Sequence, residues 1–162
     1  MNIFYLSHDQ TECAKWYVDK HVSKMILESV QIVCNVHHIH GIENPALYRP
    51  FNPNHPVCQW AAKSLDNYEW IYNLAETLGI EFTLRFGGQH KSIGVLNQLS
   101  WEPVFLDQFL GFTAPALCMP DKYKLSDPID AYRNYYTHGK AHIHKWTKRN
   151  PPIWIAEHKE FV

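Results

Sequence analysis

Apolar residues recur at helical spacing near the start of the chain. Val18, Val22, Met25, Ile26, Val33 and Val36 repeat at steps of three, four and seven residues. At ~100° per residue they share one helix face. The pattern predicts a first helix from about Gln10 to about Val36, entered from Ser7 or Asp9 as cap, with Gln10 and Glu12 respectively three residues further on. Met1 to Leu6 reads as a short strand or an extended arm. Pro45, Pro50 and Pro53 make 41–54 a loop. A second long helix opens at Asn54-His55-Pro56, with Asn54 as cap and Pro56 in the first turn. Its apolar face is Trp60, Leu65, Tyr68, Ile71, Tyr72, Ala75 and Leu78. It pauses at Gly79, continues to Phe86 and stops at Gly87-Gly88. A third helix spans about His90 to Gln98. Residues 101–126, with Pro103, Pro115 and Pro120, read as an irregular crossing segment. A last helix starts behind Ser126 or Asp127 with Pro128 at its first position and ends near His138-Gly139. Pro151-Pro152 closes the ordered core and Trp154 packs back onto it. The expected fold is mostly α: one domain over 1–162, a bundle of three to four helices with long Pro-rich loops.

Composition agrees with a globular chain. It has 162 residues, 46% hydrophobic and 19% charged, enough to bury a core and too apolar for extended disorder. No apolar run approaches the ~20 residues of a membrane span, and the N-terminus lacks the features of a signal peptide. Four cysteines without a CxxC pair read as free thiols in a reducing cytoplasm. A monomer without a membrane partner is expected.

Net charge is −1, so global charge makes no case for nucleic acid. Its distribution says more. Lys140, Lys145, Lys148 and Arg149, with His142 and His144, form an acid-free stretch that can hold phosphates while the molecule stays near neutral. A plain solvated surface would look the same.

The first helix carries the chemistry of most interest. His21, Lys24 and Glu28 are three and four residues apart and lie together beside the apolar face. A carboxylate one turn from a lysine and two turns from a histidine suits general acid–base work or stabilisation of a cationic centre. The plain alternative is an exposed Lys24–Glu28 ion pair worth ~0.3 kcal/mol. Other residues could bind an anionic substrate. His55 and His90-Lys91 sit at predicted helix starts, where free N–H groups attract anions. Arg85 and Lys91 bracket the Gly87-Gly88 break. Tyr132, Arg133, Tyr135, Tyr136 and Lys140 interleave aromatics with cations, as a strand-gripping surface does, although Tyr132 and Tyr136 equally suit the core. The 11 histidines include His37, His38 and His40, but no spaced ligand set or HExxH motif is present, so neither a metal nor another cofactor is expected. Gly-rich phosphate loops, GxSxG elbows and a convincing Cys–His dyad are missing too.

With these residues in view, the chain resembles the pyrimidine-dimer DNA glycosylases of the phage endonuclease V type and related phage and bacterial proteins. The resemblance rests on Asp19-x-His21 followed by Glu28, on Asn54-His55-Pro56 with Trp60 shortly after, and on Tyr132-Arg-Asn-Tyr135-Tyr136-Thr-His-Gly139-Lys140-Ala141. It covers the first half of the chain and the stretch around Tyr136. It implies an all-α DNA repair or DNA modification enzyme, phage-encoded and acting in the host cytoplasm, with Glu28 at the sugar C1′ and His21 and Lys24 at the lesion phosphates or abasic sugar. The nucleophile does not carry over. That family uses the α-amine of a small residue exposed by loss of the initiator Met, whereas Asn2 is large and leaves Met1 in place. Met1, Lys20 and Lys24 are the candidate amines, and the lyase step stays open.

The expected function is therefore a DNA N-glycosylase with Glu28, His21 and Lys24 as the reactive group. Lys20, His55, Arg85, His90, Lys91, Tyr132, Arg133, Tyr136 and Lys140 form the substrate and phosphate contacts. The alternatives are an enzyme acting on a free nucleotide or sugar phosphate, and a non-catalytic nucleic-acid or protein-binding module.

Overall fold

A computed structural model describes residues 1–99 and 111–160, and part of the crossing segment at 101–126 therefore lies outside the described residues. The chain is mostly helical, with seven α-helices and no strand among the described residues. They are α1 (Gln10–Trp16), α2 (Asp19–Ile39), α3 (Pro56–Ala61), α4 (Leu65–Phe86), α5 (Lys91–Leu96), α6 (Pro128–Asn134) and α7 (Ile153–Glu160). Helices α2 and α4 form the central pair, with α1 on α4 and α5 set against both. No helix among the described residues is long and apolar enough to cross a membrane.

The predicted apolar face of α2 is the core: Val18, Val22, Met25, Ile26, Val33 and Val36 are all buried. The single helix expected from Gln10 to Val36 is two. The chain breaks at Tyr17 and Val18, which adopt extended backbone. No glycine or proline causes this. The carbonyls of Lys15 and Tyr17 accept from the Arg85 guanidinium, and the Val18 N–H donates to the Tyr136 hydroxyl. Side chains from distant elements thus satisfy the groups that a continuous helix would have paired internally.

The second predicted helix also divides, into α3 and α4. Ser64 caps α4 through its hydroxyl, an N-cap of the ordinary kind. Asn54 is not the cap of α3. His55 takes that place, its Nδ1 accepting from the Val57 N–H, with Pro56 in the first turn. Helix α4 does not pause at Gly79. That glycine instead admits the Ile93 side chain of α5, because a Cβ there would fall 2.7 Å from Ile93 Cδ1. Gly87, at φ 71°, ends the helix as expected. Asp127 caps α6 and Pro128 follows, after which a wider π turn runs over Tyr135–Gly139. Helix α7 follows Pro151-Pro152, where the sequence suggested only a closing tail.

The N-terminal residues form an extended arm, and Ile3 to Leu6 are completely enclosed. A lone extended segment in a helical protein has no neighbouring strand to pair with, so its polar groups need side-chain partners. Tyr17 supplies two: its hydroxyl accepts from the Phe4 N–H and donates to the Phe4 carbonyl, both at 2.9 Å. Arg133 Nε donates to the Leu6 carbonyl. This arm brings the first residues of the chain onto α2.

Candidate active site

The arm ends on Glu28. The Asn2 main-chain N–H donates to Glu28 Oε2 at 2.9 Å, and the Met1 amino nitrogen lies 3.9 Å from the same oxygen. Lys24 Nζ stands 3.4 Å from Oε1. The carboxylate is 8% exposed as a residue, whereas the Lys24 side chain is 66% exposed. Glu28 is thus largely buried with an amine on either side. The Asn2 side chain fixes the approach: Nδ2 donates to the Cys118 carbonyl, and Oδ1 accepts from the Ile3 N–H. Met1 Sδ and Cys58 Sγ are 3.3 Å apart, which anchors the first side chain against α3.

His21 is 6% exposed and stacks on Phe4 with ring centroids 4.3 Å apart. The Tyr136 hydroxyl accepts from Val18 N–H at 2.8 Å and lies 2.9 Å from His21 Nδ1. Where that hydroxyl donates its proton to Nδ1, the His21 proton lies on Nε2. Burial, followed by the charges of Lys140 and Lys24 and by His142 and His144, lowers the His21 pKa to about 3. The imidazole is neutral across the physiological range. It is a fixed N–H donor and not a cation.

Lys140 completes the group. Its Nζ sits 5.8 Å from the Phe4 ring centroid and 5.0 Å from that of Tyr135. Tyr135 lies over Gly139, where a Cβ would come within 2.5 Å of the ring, and against Tyr123 at 5.0 Å. His55 borders the site from the start of α3. Burial and then the Met1 amine lower its pKa, and Glu28 opposes them. Because Nδ1 caps α3, its neutral ring keeps Nε2–H for other contacts.

Of the residues expected from sequence, Glu28, Lys24, His21, His55 and Lys140 come together. Lys20 is exposed one turn before Lys24 on α2. Tyr132 and Tyr136 are core residues that hold the site from beneath, since Tyr132 OH bonds to the Ala116 carbonyl and the Cys118 N–H. Four expected phosphate contacts lie elsewhere. Arg85 is buried, paired with Glu81 and Asp19 and donating to the carbonyls of Lys15 and Tyr17. Arg133 is held between the rings of Trp16 and Trp154, 5.0 and 5.6 Å from their centroids. His90 caps α5 through Nδ1 and abuts Phe82. Lys91 is exposed at that same helix start. The crowded histidines at 37–40 do structural work: His37 meets the Tyr68 hydroxyl, His38 the Tyr48 carbonyl and His40 the Ala62 carbonyl. Among the described residues, no three His, Cys, Asp or Glu side chains are grouped to hold a metal.

Asn2, Phe4 and Tyr123 escaped the reading of the sequence. Phe4 and Tyr123 look like ordinary core and turn residues, and their place becomes visible only through contacts with α2 and the π turn. Asn2 carried a negative signal alone, as a residue too large for the processing that the resemblance implies.

What the arrangement offers chemically is one carboxylate among cations and fixed N–H donors. Such a group favours an anionic substrate, and the carboxylate is placed to meet positive charge that develops beside it. Compared with protein-family models, curated proteins and solved structures, the chain matches none.

Proposed function

We propose that the protein is a DNA N-glycosylase acting on damaged or modified bases, with Glu28 as its catalytic carboxylate. The observation that carries this reading is the convergence on Glu28 of Lys24, the Met1 amine and the Asn2 N–H, beside the neutral His21. As the C1′–N bond breaks, positive charge builds on the sugar, and a carboxylate held against it lowers the barrier. Attack by water at C1′ gives the abasic sugar. The water proton passes to Glu28, and the departing base takes the bonding electron pair. Lys24 and Lys140 bind the flanking phosphates, and Lys20 extends that cationic edge along α2. An amine of Met1 or Lys24 attacking in place of water leads to a covalent imine, which borohydride reduces to a stable adduct.

The test incubates wild-type protein with abasic, ultraviolet-damaged and hypermodified duplexes, with and without borohydride, followed by peptide mapping of any adduct. Wild type is expected to release base from at least one modified duplex. Glu28→Gln, which retains the shape and an acceptor for Asn2, should lower the rate by about a hundredfold or more with an unchanged melting temperature. No release from any duplex, or full activity in Glu28→Gln, overturns the reading.

A further inference from the structure

The loop before α3 presents an aromatic ring that the core does not use. Phe51 is 54% exposed, yet its main chain is gripped from both sides by one side chain. Asn35 Nδ2 donates to the Phe51 carbonyl at 2.7 Å, and the Phe51 N–H donates to Asn35 Oδ1 at 3.1 Å. Asn35 is 1% exposed, within the apolar stretch of α2. A buried amide is costly unless it is bonded, and here those bonds fix the position of Phe51. Asn35 also reaches Cys58 Sγ, which ties the same grip to α3.

The rest of the loop is equally constrained. Pro50 and Pro53 restrict the backbone on either side, and Asn52 sits in the left-handed region at φ 51°. The His55 N–H donates to the Asn52 carbonyl, and Gln59 Nε2 donates to that of Pro53. The ring therefore projects from a rigid mount. Arg49, Asn52 and Asn54 are exposed around it and offer donors to phosphates.

The mount is registered to Glu28. Asn35 follows Glu28 by seven residues, which places it on the same face of α2 about 10.5 Å along the axis. His55, four residues past Phe51, responds to the Glu28 charge. One rigid unit thus holds both the carboxylate and the ring. Apolar side chains of this kind enter between base steps, unstack them and hold the helix open, and chemistry at a sugar C1′ within a duplex needs that opening.

We infer that Phe51 is a wedge that enters the DNA base stack beside the nucleotide held at Glu28. The inference rests on the reading of Glu28 as part of a DNA-acting site. It makes Phe51 a positioning residue, without contact to the reacting atoms.

The probe is a duplex carrying a tetrahydrofuran abasic analogue next to 2-aminopurine, whose fluorescence rises on unstacking. It is saturated with Glu28→Gln, Glu28→Gln/Phe51→Ala or Glu28→Gln/Phe51→Trp protein. Fluorescence should rise severalfold with the first and third, and stay near that of the free duplex with the second. All three should melt together, because the ring is largely outside the core. An equal rise with Phe51→Ala, no rise with Phe51 present, failure to bind the duplex, or a Phe51→Ala protein that melts well below the others overturns the wedge. Wild-type base release separates the two readings. Release without a Phe51-dependent signal sinks the wedge and leaves Glu28 as proposed, whereas a Phe51-dependent signal without release leaves the wedge and sinks the glycosylase.

Discussion

Tyr136 sets the character of the site without being able to touch a ligand. It is fully buried, and its hydroxyl joins the α1–α2 break to His21. Tyr136→Phe strands the Val18 N–H and removes the hydroxyl bonded to His21 Nδ1. The expected cost is about 1–3 kcal/mol, measured by denaturant unfolding, and the activity proposed for Glu28 should fall through His21 misorientation. An unchanged unfolding midpoint would show that neither bond matters. At this scale the sequence was a good guide where partners are local. His21, Lys24 and Glu28 could be grouped by helical spacing alone. It misled for Arg85 and Arg133, because a cation beside a glycine pair or among tyrosines looks free. Apart from Glu81, one turn before Arg85, their partners are remote: Lys15 and Tyr17 lie some seventy residues before Arg85, and Leu6 lies 127 residues before Arg133.

Helix faces were legible among the elements, and helix ends less so. The apolar period of α2 and the Gly87 stop of α4 are local properties, and both hold. The breaks after Trp16 and after Ala61 are not announced by glycine or proline. The first depends on Arg85 and Tyr136 from other elements, and the second on Ser64, one cap-forming residue within a continuous apolar pattern. Gly79 shows the opposite error. Glycine weakens a helix interior, which suggested a pause, but its role is to admit Ile93. Gly79→Ala should therefore cost about 1–3 kcal/mol through overpacking, despite the better helix propensity of alanine. Unfolding of Gly79→Ala with and without Ile93→Val checks this, since the smaller partner should recover part of the loss. A gain in stability from Gly79→Ala alone would refute the packing role.

Across the whole molecule, buried neutral histidines tie stability to pH. Burial, and then neighbouring charges, lower the His21 pKa to about 3 and that of His37 to about 4. Unfolding frees both to titrate near 6.5. The unfolded chain therefore binds more protons below about pH 6.5, and stability is complete above that value and falls as pH drops toward about 4. The slope is about 1.4 kcal/mol per pH unit for each histidine. Unfolding free energies between about pH 5 and about pH 7 should show this loss, and His37→Gln should remove the His37 share of it. The whole molecule also shows what near-neutral net charge concealed: Lys24, Lys140 and the Met1 amine are gathered by folding from positions far apart in the chain.

The buried arm has a consequence for how the protein is made. Asn2 bonds to Cys118 and lies against Tyr132, Leu6 bonds to Arg133, and Val18 bonds to Tyr136, across separations of 116 to 130 residues. Contacts so distant in sequence close slowly, and on the ribosome they cannot close until the C-terminal third has emerged. Residues 2–6 are thus synthesised long before these contacts can close. Nascent chains arrested before residue 116 should lack the Asn2–Cys118 and Val18–Tyr136 bonds, so the surroundings of Glu28 and His21 are completed only when translation is nearly over.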